Sequence, residues 1–160
     1  MTKRQILQRM FLRFLMKNTF HKQDFVEIWS LFVSKKSFLD NSENLESIHS
    51  FFMEVLEKEY FTVEMKSIPP KYTSIYQAYQ IKKLCLPVEL RPSYQSIYER
   101  TLDLNKALRR NELEIEYLKE CFNDFPNLRF QVEHLIQQKR DYQLSLQTKI
   151  SVLEELINFF

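Results

Sequence analysis

The side chains that could carry chemistry in this sequence are three histidines, two cysteines and several neighbouring carboxylates. His21, His49 and His134 lie on three separate predicted helices, and no two of them have the short spacing that places two ligands on one zinc ion. Cys85 and Cys121 have no histidine at such a spacing either. No nucleophilic motif is recognisable, and the adjacent glutamates fall on polar helix faces that water solvates. We therefore predict that the protein is not an enzyme and needs neither a metal nor another cofactor.

The composition excludes further classes of function. The sequence contains no glycine, although average usage of about 7% would give roughly eleven. Loops that bind phosphate groups need glycine because the backbone must approach the ligand closely, so P-loop and dinucleotide-binding sites are excluded and no small-molecule substrate is expected. Two cysteines fit a reducing compartment, and no apolar run approaches the roughly twenty residues that span a bilayer. Since no signal peptide precedes the chain, we expect a soluble, intracellular protein without a membrane partner.

The net charge of +2 is small but unevenly distributed. Residues 1–40 carry +5, residues 41–61 carry −4, residues 62–92 carry +3, and the remainder carries −2. Such a distribution supports local basic surfaces rather than a protein that binds polyanions over its whole surface. The basic face of the first helix has two interpretations, contact with phosphate groups or simple solvation by water. Solvation is the favoured one. The candidate nucleic-acid contacts are Lys3, Arg9, Arg13, Lys17, Lys66, Lys71, Lys82 and Lys83.

Apolar periodicity in the first half of the chain changes from the helical to the strand period. Three segments have apolar residues at helical spacing, and the region after them alternates apolar and polar residues until a Pro-Pro loop. Three helices followed by a β-hairpin is the element order of a winged helix; a small all-α domain with residues 72–84 helical is the alternative. The predicted elements are helices over residues 2–18, 22–33 and 44–58, strands over 61–66 and 73–81, and a loop over 68–71.

The third predicted helix argues against sequence reading in the DNA major groove. In a DNA-reading winged helix this element lies in the groove and must present donors and positive charge. Here residues 44–58 carry Glu46, Glu54 and Glu57 against Lys58 alone. Because phosphate contacts dominate affinity, that charge is unfavourable. Only weak, sequence-independent DNA contact is expected, and a winged helix that docks protein is the better interpretation.

Four apolar stretches at residues 9–18, 24–29, 44–52 and 60–65 carry a family resemblance. Over residues 5–81 the chain resembles the first winged helix of the RING-bearing kite subunit of SMC-type DNA-repair complexes. That family continues into a second winged helix and a zinc-binding RING, whereas this chain continues into heptads with only two cysteines, so ubiquitin-ligase activity is not carried over. A winged helix followed by a coiled coil is also similar in layout to the meiotic strand-exchange accessory heterodimer. Both resemblances imply a non-catalytic, chromosome-associated subunit in the nucleus.

The second half of the chain has a heptad pattern. Two prolines interrupt the sequence between the halves, so we predict a winged-helix-like domain over 1–84, a linker over 85–93 and a coiled-coil arm over 94–160. Apolar residues then recur every 3.5 residues, the period that keeps one stripe against a partner helix. The predicted partner-binding seam is Tyr94, Ile97, Thr101, Leu104, Leu108, Asn111, Ile115, Leu118, Phe122, Phe125, Leu128, Val132, Leu135, Lys139, Tyr142, Leu146, Ile150, Leu153, Ile157 and Phe160.

The arm contains three irregular features. Residues 123–126 interrupt the helix, and the sequence permits either a kinked rod or a helical hairpin at Pro126. After Leu146 two successive steps of four predict a stutter, which unwinds a supercoil locally. Asn111 either fixes the register of a coiled coil or lies at the edge of a looser bundle.

The terminal Phe159 and Phe160 are too apolar to end exposed, which favours a hetero-oligomer over a homodimer.

From the sequence we expect a non-enzymatic assembly subunit of a chromosome-associated complex in recombination, repair or segregation, which associates through its coiled coil. One alternative is a coiled-coil scaffold or tethering subunit with no nucleic-acid role. A second alternative is a direct DNA-binding winged-helix regulator, which the acidic third helix disfavours.

Overall fold

The computed structural model describes all residues from Met1 to Phe160, and the chain forms two compact units, Met1–Pro87 and Val88–Phe160. The fold is mainly helical, with one two-stranded antiparallel sheet. The expectation of a mainly α chain with a small β-hairpin is confirmed at this level. The helices are α1 Lys3–Leu15, α2 Phe25–Val33, α3 Ser42–Phe51, α4 Glu57–Tyr60, α5 Ala78–Leu84, α6 Arg91–Asp124 and α7 Arg129–Asn158.

The first two helices begin at capping boxes. Thr2 Oγ1 accepts from the Gln5 backbone N–H at 3.2 Å, and the Gln5 side chain accepts from the Thr2 N–H at 2.8 Å. Asp24 forms the equivalent pair at the start of α2, so this helix begins three residues later than the predicted Lys22. The reason is that Gln23 pairs with Tyr72 through two backbone hydrogen bonds of 3.1 and 2.7 Å, which keep the preceding segment extended.

The third helical segment is continuous but changes its winding. Asn41 caps α3 by accepting from the Asn44 N–H at 2.9 Å. A π-helical segment, Phe52–Leu56, joins α3 to α4. The chain then enters β1 (Phe61–Glu64), which pairs antiparallel with β2 (Lys71–Ser74).

The predicted second strand over residues 73–81 is wrong beyond Ser74. The chain leaves the sheet there and forms α5, which begins at a capping box between Gln77 and Gln80. The Tyr76 hydroxyl donates to the carbonyls of Leu15 and Asn18 at 3.1 and 2.7 Å, which directs the chain onto the end of α1. The all-α alternative therefore describes residues 78–84 correctly and residues 71–74 wrongly.

The core of the first unit lies between α1, α2, α3 and the hairpin, and aromatic rings dominate it. Phe52 contacts both Phe61 and Tyr72, with ring centroids 4.9 Å apart in each case. Phe11 and Phe32 pack edge to face at 5.2 Å. The fully buried side chains of this core are Phe11, Leu15, Ile28, Ile48, Phe52, Leu56 and Ile81.

The second unit is an antiparallel helical hairpin. Pro92 lies in the first turn of α6, where its missing N–H costs no hydrogen bond, so Arg91 and Pro92 are helical although the sequence places them in a linker. A short 3₁₀ segment, Pro126–Leu128, reverses the chain between α6 and α7. The rings of Tyr94 and Phe160 pack 5.4 Å apart, which joins the start of α6 to the end of α7. The break at Pro126 is therefore the apex of a hairpin and not a kink in a rod.

Candidate association and nucleic-acid surfaces

The α6 part of the predicted seam lies against α7 of the same chain. Every predicted position from Tyr94 to Phe122 is buried or half-buried, whereas Phe125 at the apex is 53% exposed. The sequence period therefore identified the correct face of α6. We call the residues between the two helices the inner seam. Its α6 members are Tyr94, Ile97, Thr101, Leu104, Leu108, Asn111, Ile115, Leu118 and Phe122.

The inner seam on α7 differs from the prediction. Leu128, Leu135 and Tyr142 are 48%, 43% and 49% exposed, and Ile136 and Gln143 occupy the intervening inner positions instead. With those two residues the steps alternate between four and three to the end of the chain, so the predicted stutter is wrong. Its α7 members are Val132, Ile136, Lys139, Gln143, Leu146, Ile150, Leu153, Ile157 and Phe160.

The wrong assignment arises because α7 carries two heptad series. The second series also steps by three and four, and all ten of its side chains are exposed. Six of them are apolar, an unusual number for a solvated helix face. We call this series the outer stripe. Its members are Leu128, Gln131, Leu135, Gln138, Tyr142, Ser145, Lys149, Val152, Leu156 and Phe159.

Polar residues fix how α6 and α7 align. Asn111 is 2% exposed, and its Nδ2 donates to the backbone carbonyl of Lys139 at 2.9 Å. The Lys139 ammonium pairs with Glu114, which also lies 3.4 Å from Arg110. The hydrogen bond from Lys139 is the main reason why the pKa of Glu114 lies below its ordinary value. These contacts are specific to one alignment of the helices, because a shift of one turn would separate them.

Two of the predicted nucleic-acid contacts line a basic groove. Arg13 and Lys17 meet Lys35 and Lys36 around a groove of about 660 Å³ between the end of α1 and the chain that follows α2. No carboxylate lines this groove, and the Lys36 ammonium lies 5.3 Å from the centre of the Phe32 ring. Sequence reasoning did not include Lys35 and Lys36 because they lie outside any helical face; the Lys-Lys pair was the only signal.

The other predicted contacts are dispersed. The Lys71 ammonium lies 3.1 Å from Asp24 and 3.3 Å from Glu27, and its hydrogen bond to Asp24 raises the pKa of Lys71. Arg9 donates to the carbonyl of Cys85 at 3.1 Å. Two of these residues (Lys3 and Lys66) are exposed, and the remaining two (Lys82 and Lys83) are half-buried on α5. The eight predicted side chains therefore do not form one site.

A third surface is an apolar pocket of about 330 Å³ beside the Pro-Pro loop. The His49 ring packs 4.7 Å from that of Phe25, so this histidine acts as an aromatic wall. Two carboxylates, Asp24 and Glu46, are among its lining residues, and Asp24 is paired with the Lys71 ammonium. The lining residues are Asp24, Phe25, Val26, Leu45, Glu46, His49, Pro69, Pro70 and Tyr72.

None of the helices combines the length and the apolar character that crossing a membrane requires. No cluster of three or more His, Cys, Asp or Glu side chains could hold a metal ion. In comparisons with known proteins, no protein-family model, no curated protein and no solved structure matches this chain. Function must therefore be inferred from the outer stripe, the basic groove and the apolar pocket.

Proposed function

We propose that this chain is a non-enzymatic assembly subunit of a chromosome-associated complex in recombination, repair or segregation. The observation that carries the proposal is the outer stripe. The hairpin already buries its inner seam, yet α7 exposes six further apolar side chains at coiled-coil spacing. A surface helix needs only one apolar face to pack in a hairpin, and a second one at the same period indicates another helix as neighbour.

The layout of the first unit supports the link to chromosomes. Three helical segments are followed by an antiparallel hairpin, which is the element order of a winged helix. One further helix, α5, follows the hairpin and packs against α1. The resemblance of residues 5–81 to the kite-type winged helix, and of the whole layout to the strand-exchange accessory subunits, points to nuclear complexes that organise or repair DNA. Like those subunits, this chain would contribute binding and no catalysis.

Contact with DNA in this proposal is weak and independent of sequence. The third helical segment exposes Glu54 and Glu59, and Glu57 lies in the same turn, so it is unsuited to the major groove. The basic groove is the favourable region because four cations face it without a carboxylate. Such a site contacts phosphates and holds the complex near DNA, while specificity comes from protein partners.

One observation favours a second candidate function, a scaffold or tether with no nucleic-acid role. The pocket beside Pro69 and Pro70 is mainly apolar and has Glu46 in its lining, which suits an apolar protein segment carrying a positive charge. In that case both units of the chain would bind protein.

Chromatin retention in cells tests the main proposal. The tagged full-length chain should remain with chromatin at low salt and be released by nuclease or by high salt. Replacing Leu135 and Leu156 with aspartate should move the protein to the unbound fraction, because the assembly is lost. The matched control is Leu113→Asp, at an exposed leucine on α6 outside the stripe, and it should behave like the wild type. A wild-type chain that never enters the chromatin fraction would support the scaffold function instead.

A further inference from the structure

We propose that the outer stripe of α7 pairs antiparallel with the outer stripe of a second copy of this chain. The two-fold axis would pass beside α7 between Gln143 and Leu144. This inference rests on the proposed function, since it names the partner for the association surface described above. It makes α7 the central helix of the assembly, with α6 on one side and the second α7 on the other.

Antiparallel pairing forms five distinct layers, and two of them are apolar on both sides. When the first stripe position faces the last, Leu128 meets Phe159 of the second copy, and Leu135 meets Val152. The two-fold axis generates each of these layers twice, so apolar layers lie at both ends of the interface. Such layers supply the main association free energy because they remove apolar surface from water.

The centre of the interface is more polar than its ends. In the same register Gln138 faces Lys149 of the second copy, and Tyr142 faces Ser145. Two layers are mixed, because Gln131 faces Leu156 and the apolar ring of Tyr142 lies in the layer of Ser145. Polar layers in a coiled coil lower stability but favour the register in which they find partners.

The charges around the stripe favour the antiparallel over the parallel arrangement. In the antiparallel register the long Lys149 side chain can reach Asp141 of the second copy, and His134 lies beside Glu155. A parallel, in-register pair would place Lys149 against Lys149 inside the interface, and like charges in a desolvated layer are unfavourable.

Other features of the hairpin point to the same occupant. The exposed apolar residues of α6 form no continuous second stripe. Lys106 and Arg109 occupy the helical positions between Leu102 and Leu113, and only Leu113 and Tyr117 are neighbours, one step of four apart. Phe160, whose apolar character led us to expect a foreign partner, packs on Tyr94 within the chain. Phe159 remains 89% exposed, and the antiparallel register places it on Leu128 of the second copy.

Register-specific cross-linking of the purified full-length chain tests the inference. In a background with Cys85→Ser and Cys121→Ser, the double variant Leu135→Cys/Val152→Cys should give a covalent dimer with a short bis-maleimide reagent. Each single variant should give none, because two copies of residue 135 would lie about 25 Å apart along the helices. A covalent dimer from Leu135→Cys alone would show a parallel pair and overturn the inference.

Sedimentation velocity completes the test. The wild-type chain should sediment as a dimer, and Leu135→Asp should weaken dimerisation by on the order of 100-fold, since each substitution affects two layers. Leu113→Asp should leave the dimer unchanged, and all variants should keep the helical circular dichroism of the wild type. A wild-type chain that is monomeric at every concentration would overturn the dimer. If Leu135→Asp/Leu156→Asp nevertheless lost chromatin retention, the proposed function would stand with a different chain on the stripe.

Discussion

The side-chain amide of Asn111 donates a hydrogen bond across the helical hairpin to the backbone carbonyl of Lys139, at 2.9 Å. The sequence allowed two roles for Asn111, fixing a register between chains or lying at the edge of a loose bundle. Instead, Asn111 is almost fully buried and fixes the alignment of two helices of one chain. The Nδ2 group reaches the Lys139 carbonyl in only one alignment of α6 and α7. That alignment sets the register in which the apolar residues of the inner seam pack.

Asn111→Asp tests this role. The carboxylate cannot donate to the Lys139 carbonyl and would be buried without a donor, so we expect the free energy of unfolding to fall by about 2–4 kcal/mol at neutral pH. Because burial raises the pKa of this carboxyl above the unfolded value of about 4, the difference from the wild type should narrow as the pH falls from neutral toward 4, where the acid is protonated and can donate. Asn123→Asp, at an exposed position, is the control and should change stability by less than about 0.5 kcal/mol. Equal losses in both variants, measured by urea unfolding, would contradict the role of Asn111.

The closed hairpin predicts a specific distance between its helices. Spin labels at Lys106 on α6 and Gln147 on α7, both exposed, should lie about 20–25 Å apart, because packed helix axes are about 8–10 Å apart. A continuous rod would separate the same positions by about 60 Å at 1.5 Å per residue. Labels at Lys106 and Lys119, both on α6, give the same short distance in either arrangement and serve as the control. Pulsed electron paramagnetic resonance measures the distance between the labels and separates the hairpin from the rod clearly.

Tyr76 predicts a stability change at alkaline pH. Burial raises the pKa of Tyr76 to about 12, above the value of about 10 for an unfolded chain. A raised pKa means that the folded state favours the protonated phenol, so this contribution is complete below pH 10 and is lost as the pH rises toward 12. Tyr76→Phe should lower stability by about 1–3 kcal/mol at pH 7, because the Leu15 and Asn18 carbonyls lose their shared donor.

The pH profiles supply the control for that prediction. Between pH 10 and 12 the wild type should lose stability more steeply than Tyr76→Phe, and the two curves should converge. Tyr117→Phe, at a tyrosine that is 66% exposed, should follow the wild-type curve. Parallel curves for the wild type and Tyr76→Phe would show that this phenol does not couple to folding.

Charge reversal tests the basic groove. Arg13→Glu/Lys35→Glu should weaken binding to duplex DNA equally for all sequences and reduce the slope of log K against log salt by about 1.8, at about 0.9 for each lost phosphate contact. Lys106→Glu/Lys119→Glu makes the same change of net charge on the hairpin and should leave the slope unchanged. If the hairpin reversals weakened binding as strongly, net charge and not the groove would account for the affinity.

Much of the fold could be predicted from local signals, and the errors trace to tertiary contacts. Thr2 was recognisable as a helix cap from its residue type and position. The seam of α6 was predicted correctly because Asn111, although polar, occupies a heptad position and leaves the 3.5-residue period intact. The strand predicted through Ile81 failed because alternating β-branched and aromatic residues over so short a segment fit both periods. The hydrogen bonds of Tyr76 with the end of α1 decide between them, and no local pattern encodes that contact.

The candidate surfaces were predicted only partly, again because tertiary contacts decide them. Leu135 and Val132 both fit a 3.5-residue series, so the sequence alone could not show that one faces α6 and the other faces away. Only the packing of α7 separates the inner seam from the outer stripe. The groove residues Lys35 and Lys36 follow α2 in the chain but meet Arg13 only in the folded unit.

The central claim is that this chain assembles through the outer stripe of α7, and the native mass of the protein isolated from cells tests it most directly. We expect the wild-type chain to run in an assembly well above its own mass of 19.6 kDa, together with at least one further polypeptide chain. Leu135→Asp/Leu156→Asp should run as the single folded chain, while Leu113→Asp keeps the wild-type mass. A wild-type protein isolated as a monomer, or a stripe variant that keeps the full mass of the assembly, would contradict the claim.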